Sequence, residues 1–273
     1  MIKIVTQDLS IPQIAESGQC FRLNRIAEER YALVAHGRYL EMEQRGDELL
    51  LFCTQEEYGE IWQRYFDMEN DYALYRSAVA KEDTYLAQAV AFGSGIRILQ
   101  QDVWEMLISF IISQQNNIKR IRKCIETICE RYGEQRTFES KTGKGIYYTF
   151  PGAEALAQAT EEELRACNLG YRSRYIVDTS NSIVNGEVDL DSLRKMGYKQ
   201  ARGELIKLSG VGEKVADCIC LFGLHHMDAF PVDTHIRKAV DEHYPLGFPF
   251  DRYTGYAGVM QQYIFYYDLK NMT

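Results

Sequence analysis

A lysine four residues ahead of a cysteine, with an aspartate 19 residues beyond the lysine, is the grouping in this chain best suited to covalent chemistry. These are Lys214 and Cys218 in LIKLSGVGEKVADCIC (205–220) and Asp233 in PVDTH (231–235). Gly210 and Gly212 open backbone conformations closed to other residues, so two helices can be joined there by a very short turn. The amides that start the second helix would then face outward at the positive end of its dipole, a phosphate site made of backbone. Alone, a Gly-x-Gly between helices is equally a plain tight turn. Lys214 falls in the first turn of the second helix, where the dipole disfavours a cation. A partly desolvated amine there suits a nucleophile, and a solvated surface lysine is the ordinary alternative. Asp233 stands where a helix starting near Thr234 needs an N-cap, and capping alone would account for it.

These residues need elements to hold them. Residues 31–53 alternate β-branched, aromatic and leucine-rich segments with His36-Gly37 and Arg45-Gly46-Asp47, which predicts an antiparallel meander with Arg-Gly-Asp as a hairpin turn. Between Gln55 and Phe66, Tyr58, Ile61, Trp62 and Tyr65 have the spacing of an amphipathic helix. After Gly95 the pattern turns helical. Asp102 and Glu105 resemble an N-cap pair ahead of the apolar run Val103–Ile112, and Ile118, Ile121, Ile125 and Ile128 continue at helical spacing. Thr160 with Glu163 makes a capping box, and Gly170 is a helix stop. Further helices are predicted at 173–184, 198–208, 213–224, 234–243 and 255–269. The expected class is α+β: an antiparallel-sheet domain at 1–98, then a mostly α-helical domain at 99–273 with the hairpin at about 198–224, and no strand read from its pattern.

Composition bounds the partners. At 46% hydrophobic and 26% charged, the 273 residues describe a globular protein, with no apolar run approaching a membrane span and no signal-peptide core at the start. An intracellular protein is expected. Seven scattered cysteines, an odd number, argue against a disulfide framework, and neither Cys124/Cys129 nor Cys218/Cys220 has zinc-site spacing. The net charge of −8 runs against a polyanionic partner. The excess is uneven, however: residues 1–98 carry 10 Lys+Arg against 16 Asp+Glu, and residues 114–238 carry 19 against 17. A phosphate grip made of amides eases the conflict further.

The hairpin followed by PVDTH resembles the signature of the helix-hairpin-helix DNA glycosylases, and more narrowly is similar to the 8-oxoguanine DNA glycosylase/lyases. SGQCFR at 17–22, SQQNNIKR at 113–120, LGYRSRY at 169–175 and YAGVMQQYIF at 256–265 extend the resemblance over nearly the whole chain. It implies a TBP-like N-terminal sheet ahead of the glycosylase domain, and a duplex DNA partner containing 8-oxoguanine. Lys214 would attack the sugar C1′ to form a Schiff base that allows strand cleavage, with Asp233 stabilising the positive sugar and moving protons. Cys218 and Phe265 would sandwich the flipped base, Gln261 would read its Watson–Crick edge, and the Gly18 carbonyl would accept from N7–H. Core packing is the commoner role for a lone cysteine or phenylalanine. Gln115, Asn116, Asn117, Arg120, Tyr171 and Arg172 would fill the vacated stack and bind the partner base. Gly210, Gly212, Lys214 and His235 would lie along phosphates. Two departures stand out: Ser209 replaces the usual hairpin proline, and Gln114-Gln115 replaces a small polar residue and an asparagine.

Rival readings are a glycosylase for another oxidised base and a non-catalytic hairpin module that only grips DNA. Relatives of the endonuclease III type carry an iron–sulfur cluster after the aspartate, and no cysteine follows Cys220 here. Alkylpurine glycosylases lack the lysine. A module that only binds has no use for a lysine and an aspartate together. No metal or cofactor and no membrane are expected; the protein is expected to act as a monomer, in the cytoplasm or nucleoid if prokaryotic.

Overall fold

Strands β1 (Ile2–Val5), β2 (Leu23–Ala27), β3 (Arg30–Ala35), β4 (Arg38–Arg45) and β5 (Glu48–Leu51) form an antiparallel sheet in the order β1-β5-β4-β3-β2. The computed structural model describes residues 1–140 and 143–271, so the last two positions of the expected helical domain lie outside it. The predicted meander is β3–β4–β5. Arg45 pairs with Glu48 across Gly46-Asp47, with Gly46 at φ +56°, so Arg-Gly-Asp is a hairpin turn. Alternation along the strands buries Leu33, Leu40, Met42, Leu49 and Leu51 on one face, against Trp62, Tyr65 and Phe66. Those aromatics come from the segment predicted as one helix. It is helical from 55 to 65 but contains a π-turn, Tyr58–Trp62, across which the Trp62 indole donates to Glu57 at 2.9 Å.

A second core is built from helices. Helix Val103–Ser113 is buried over almost its whole length, and Ile118–Tyr132 presents Ile121, Ile125 and Ile128 inward, as the isoleucine spacing predicts. The remaining predicted helices run Arg172–Val184, Tyr198–Leu205, Glu213–Phe222, Thr234–His243 and Ala257–Asn271. Asp102 caps through the Glu105 amide, and Thr160 and Glu163 close a reciprocal capping box. None of the helices among the described residues is long and apolar enough to cross a membrane.

Sequence patterning missed a hairpin inside the helical part, β6 (Gln135–Ser140) and β7 (Gly143–Tyr148). Neither of its faces is buried, so it carries no alternation to read. Its side chains reach the sheet: Phe138 stacks on Tyr39 with centroids 3.8 Å apart, and Arg136 and the Tyr147 hydroxyl donate to the Gly37 carbonyl at 3.0 and 3.1 Å. On the other side Arg97, 5% exposed, donates to the carbonyls of Asp67 and Asn70 at 2.6 and 3.0 Å. The two cores are thereby fastened to each other.

The cap pair hides a liability. Glu105 is buried, and burial pushes its carboxyl up to about 7, against the opposing pull of Arg22. A carboxyl raised on folding contributes stability that is present below its unfolded value, near 4.5, and is lost as pH climbs through 7. Glu105→Gln is therefore expected to gain on the parent by about 3 kcal/mol between pH 5 and pH 8 in denaturant unfolding. A gap that stays constant across that range would falsify the buried, protonated state.

Candidate active site

Two helices of the hairpin, Tyr198–Leu205 and Glu213–Phe222, are held by one buried carboxylate. Asp217 accepts from the Tyr198 hydroxyl and from Arg202 Nε, both at 2.7 Å. The turn between them has its own anchors. Gly210 sits at φ +76° beneath the Tyr175 ring, and its carbonyl accepts from Gln114 Nε2 at 2.9 Å. The Ser209 carbonyl accepts from the Thr179 hydroxyl at 2.8 Å, and Ser209 Oγ donates to Asp178 at 3.2 Å. Rigidity that a proline would supply through its ring comes here from hydrogen bonds. Gly212 is the N-cap of the second helix; no side chain caps it, and the space where its Cβ would be is open. The first amides of that helix are free to meet an anion.

The second helix then turns Lys214 inward. Half-buried, it lines a cavity of about 50 Å³ together with Gly18, Cys218, Asp233, Gln261 and Phe265. These six come from a loop near the N-terminus, the hairpin, the Asp233 helix start and the last helix. Lys214 Nζ lies 5.2 Å from the centre of the Phe110 ring. Asp233 caps its helix, accepting from the Ile236 amide at 2.9 Å, and also faces the cavity, so the two roles coexist. Burial holds the Cys218 thiol up at about 11 although Lys214 is beside it, and at neutral pH it is a packing surface rather than a thiolate. A larger cleft of about 430 Å³ opens elsewhere, between Arg64 and Arg194, and contains none of these groups.

Gln261 is the most informative wall of the cavity. It is 4% exposed, and its Nε2 donates to the Pro231 carbonyl at 3.1 Å. A carbonyl can only accept, which fixes the amide the right way round and leaves Oε1 buried without a hydrogen bond among the described residues. A buried acceptor without a donor costs about 1–3 kcal/mol unless a ligand fills it. Opposite it, Gly18 takes φ +75°, and a Cβ there would come within 3.0 Å of Phe265. Only glycine lets the ring lie so near the loop.

The second predicted group is a surface patch. Gln115 and Tyr171 are exposed, and Arg120, also exposed, donates to the Asn168 carbonyl at 3.4 Å. Asn117 caps the helix that carries Arg120, and Asn116 donates to the Ile112 carbonyl at 3.1 Å. Arg172 is placed differently from its neighbours. It is 4% exposed and spends its guanidinium on the backbone carbonyls of Gln114, Gln115 and Leu169, tying the two loops together. Gln115 sits at φ +47°, a region that asparagine tolerates better than glutamine. His235 packs edge-on to Phe265, with centroids 6.3 Å apart. Sequence reasoning missed Phe110, one phenylalanine in an apolar run, and Asp217, which lies within the hairpin motif but has no role assigned by it.

Comparison with known proteins follows this geometry. Residues 1–107 match the 8-oxoguanine DNA glycosylase N-terminal domain, and residues 108–247 match the HhH-GPD superfamily of base excision DNA repair proteins. The chain belongs to the HhH-GPD superfamily. A solved relative, the 8-oxoguanine glycosylase/lyase of Clostridium acetobutylicum in complex with double-stranded DNA containing cytosine opposite 8-oxoG, is 35% identical. The match covers 98% of this chain and 94% of that one, with a TM-score of 0.91. The N-glycosylase/DNA lyase OGG1 of Arabidopsis thaliana is 32% identical over 86% of this chain, and the N-glycosylase/DNA lyase of Saccharomyces cerevisiae is 40% identical over 56%. The matches span 66% and 43% of those two curated relatives. In HhH-GPD terms, a loop of the N-terminal domain, the superfamily domain and the last helix each contribute walls to one cavity, and Ser209 is a departure with visible compensation.

The two hairpin glycines are expected to respond differently to an added methyl. Gly210→Ala forces a left-handed residue, costing roughly 1–2 kcal/mol, and drives its Cβ to 2.5 Å from the Tyr175 ring. Gly212→Ala enters open space and should stay within about 0.5 kcal/mol of the parent. Thermal melts of both variants check this, and equal losses would show that the turn is not held as described.

Proposed function

We propose that this chain excises 8-oxoguanine from duplex DNA and then cleaves the strand at the resulting site. The observation that carries the reading is the single cavity shared by an amine, a carboxylate and an unfilled buried acceptor: Lys214, Asp233 and Gln261. The Gln261 oxygen requires a donor, and the Watson–Crick edge of a guanine-type base offers N1–H and N2–H, whereas adenine presents a lone pair at N1. The Gly18 carbonyl then separates lesion from parent base, because 8-oxoguanine carries a hydrogen on N7 where guanine has a lone pair. The base reaches the cavity by leaving the stack, and Phe265 against Gly18 must yield to admit it. The hairpin amides and Gly212 hold the backbone meanwhile, and His235, packed against Phe265, would meet a neighbouring phosphate. The Clostridium acetobutylicum relative bound to DNA containing 8-oxoG supports the same substrate, and the two N-glycosylase/DNA lyases support the same pair of activities.

The chemistry follows from those groups. As the C1′–N9 bond breaks, its electrons leave with the base, which takes up a proton, and positive charge grows on the sugar opposite the Asp233 carboxylate. The Lys214 nitrogen gives its lone pair to C1′, and as the C1′–O4′ bond breaks a proton shed by that nitrogen passes to O4′, leaving a protonated imine. Loss of a proton from C2′ then expels the 3′ phosphate, which nicks the strand. Gln115, Asn116, Asn117, Arg120 and Tyr171 would occupy the gap and meet the orphaned base, with Arg172 ordering the loop that presents them. Such work places the protein with the DNA inside the cell.

Lys214→Gln should abolish base release and nicking by at least about 10³-fold while damaged-duplex binding persists, since the grip is made by amides. Borohydride added during turnover should trap the parent chain on DNA and leave the variant untrapped. Absence of a trapped parent would reduce the protein to a hairpin that only binds. Opposite-base choice tests the patch. Single-turnover excision of 8-oxoguanine opposite C, A, G and T should favour cytosine, and Arg120→Ala should weaken that bias with an unchanged melting temperature. Arg172→Ala should instead lower the melting temperature, because three backbone carbonyls lose their donor.

A further inference from the structure

Residue 261 reads the base in the scheme above, and the next residue in the chain does something different. Gln262 is 2% exposed and lines the same cavity as Gln261, but its Nε2 is given to the Ser17 carbonyl at 2.6 Å, across 245 positions of sequence. Ser17 immediately precedes Gly18. On the far side of Gly18, the Gln19 carbonyl accepts from the buried Gln101 Nε2 at 2.8 Å. Gln19 itself is fully buried: its amide donates to Ser17 Oγ at 3.0 Å and to the Arg97 carbonyl at 2.9 Å, and accepts from the Leu99 amide at 2.9 Å. Every one of these bonds except that from Gln262 ties the loop to residues 97–101 or to itself. Gln262 is the buried tie to the helix that carries Gln261 and Phe265; a second one, the ion pair of Lys270 with Glu16 at 2.6 Å, is solvent-exposed.

From this we infer that Gln262 is a positioning residue for lesion recognition: it sets the spacing between the Gly18 carbonyl and the Gln261 amide. The inference rests on the base-reading roles proposed for those two groups. A rigid bicyclic base fixes the distance between the groups on its N7 side and those on its Watson–Crick edge, so both readers must be held at one separation to act together. Gly18, at φ +75°, is conformationally permissive and supplies no stiffness of its own. Two adjacent glutamines divide the labour: one faces the base, and the other grips the loop that faces the base from the opposite side. A misplacement of about 1 Å in such a pair is enough to cost orders of magnitude in rate.

The test separates base reading from sugar chemistry. Gln262→Met keeps length and packing but removes the donor; Gln262→Leu repeats the test should the thioether disturb the helix. Each is assayed for single-turnover excision of 8-oxoguanine and, in the same duplex, for nicking of a preformed abasic site. The second reaction needs Lys214 and Asp233 but no base. The expected result is a loss of about tenfold or more in excision with nicking within about twofold of the parent. Excision and nicking that fall together, or excision that stays within about twofold, would overturn the positioning role. A parent chain that nicks abasic sites but releases no 8-oxoguanine would instead sink the proposed substrate, which keeps the two failures distinct.

Discussion

A cavity with one wall from residues 17 and 18 and the others from residues 110–265 exists only while the sheet and the helices are fastened together. Much of the fastening is polar and buried. Arg97, Gln19, Gln101 and Gln262 are all no more than 5% exposed, and each gives its side-chain donors to backbone carbonyls of the loops between the two cores. Buried groups of this kind add little net stability when satisfied and cost heavily when left unpaired, so they select one arrangement over its neighbours. Apolar packing would join the cores, but it would tolerate sliding. Hydrogen bonds at fixed angles do not, and a site whose walls come from both cores needs that difference.

The hairpin obeys the same logic on a smaller scale. Asp217 joins its two helices, while Thr179, Asp178 and Gln114 fasten its turn to two other segments. Because the Gln114 carbonyl also accepts from Arg172, the hairpin turn and the exposed patch around Gln115 share one residue. A change in either is felt by the other through Gln114.

What the sequence made legible was whatever has a local physical cause. The meander, the capping residues at Asp102, Thr160 and Asp233, and the glycine turn at 210–212 are set by neighbours within a few positions. The convergence of Lys214, Asp233, Cys218, Gln261, Phe265 and Gly18 is not local, and only resemblance to a family could suggest it. Three features stayed hidden for definable reasons. The β6–β7 hairpin buries neither face. Arg172 has the charge of a surface reader, yet its guanidinium is consumed by three carbonyls that no pattern announces. Glu105 sits one turn into a helix, a position typical of a solvated cap partner, and its burial comes entirely from tertiary packing.

The bond from Gln262 to the Ser17 carbonyl also orders events in time. Closing a loop of 245 residues carries one of the largest entropic costs the chain can meet, and nothing repays it until both cores have formed. The hairpin, with its partners nearer in sequence, needs no such closure. The hairpin turn can therefore be fastened by contacts no more than 96 positions apart, whereas the cavity is closed only once residues 17 and 262 have met.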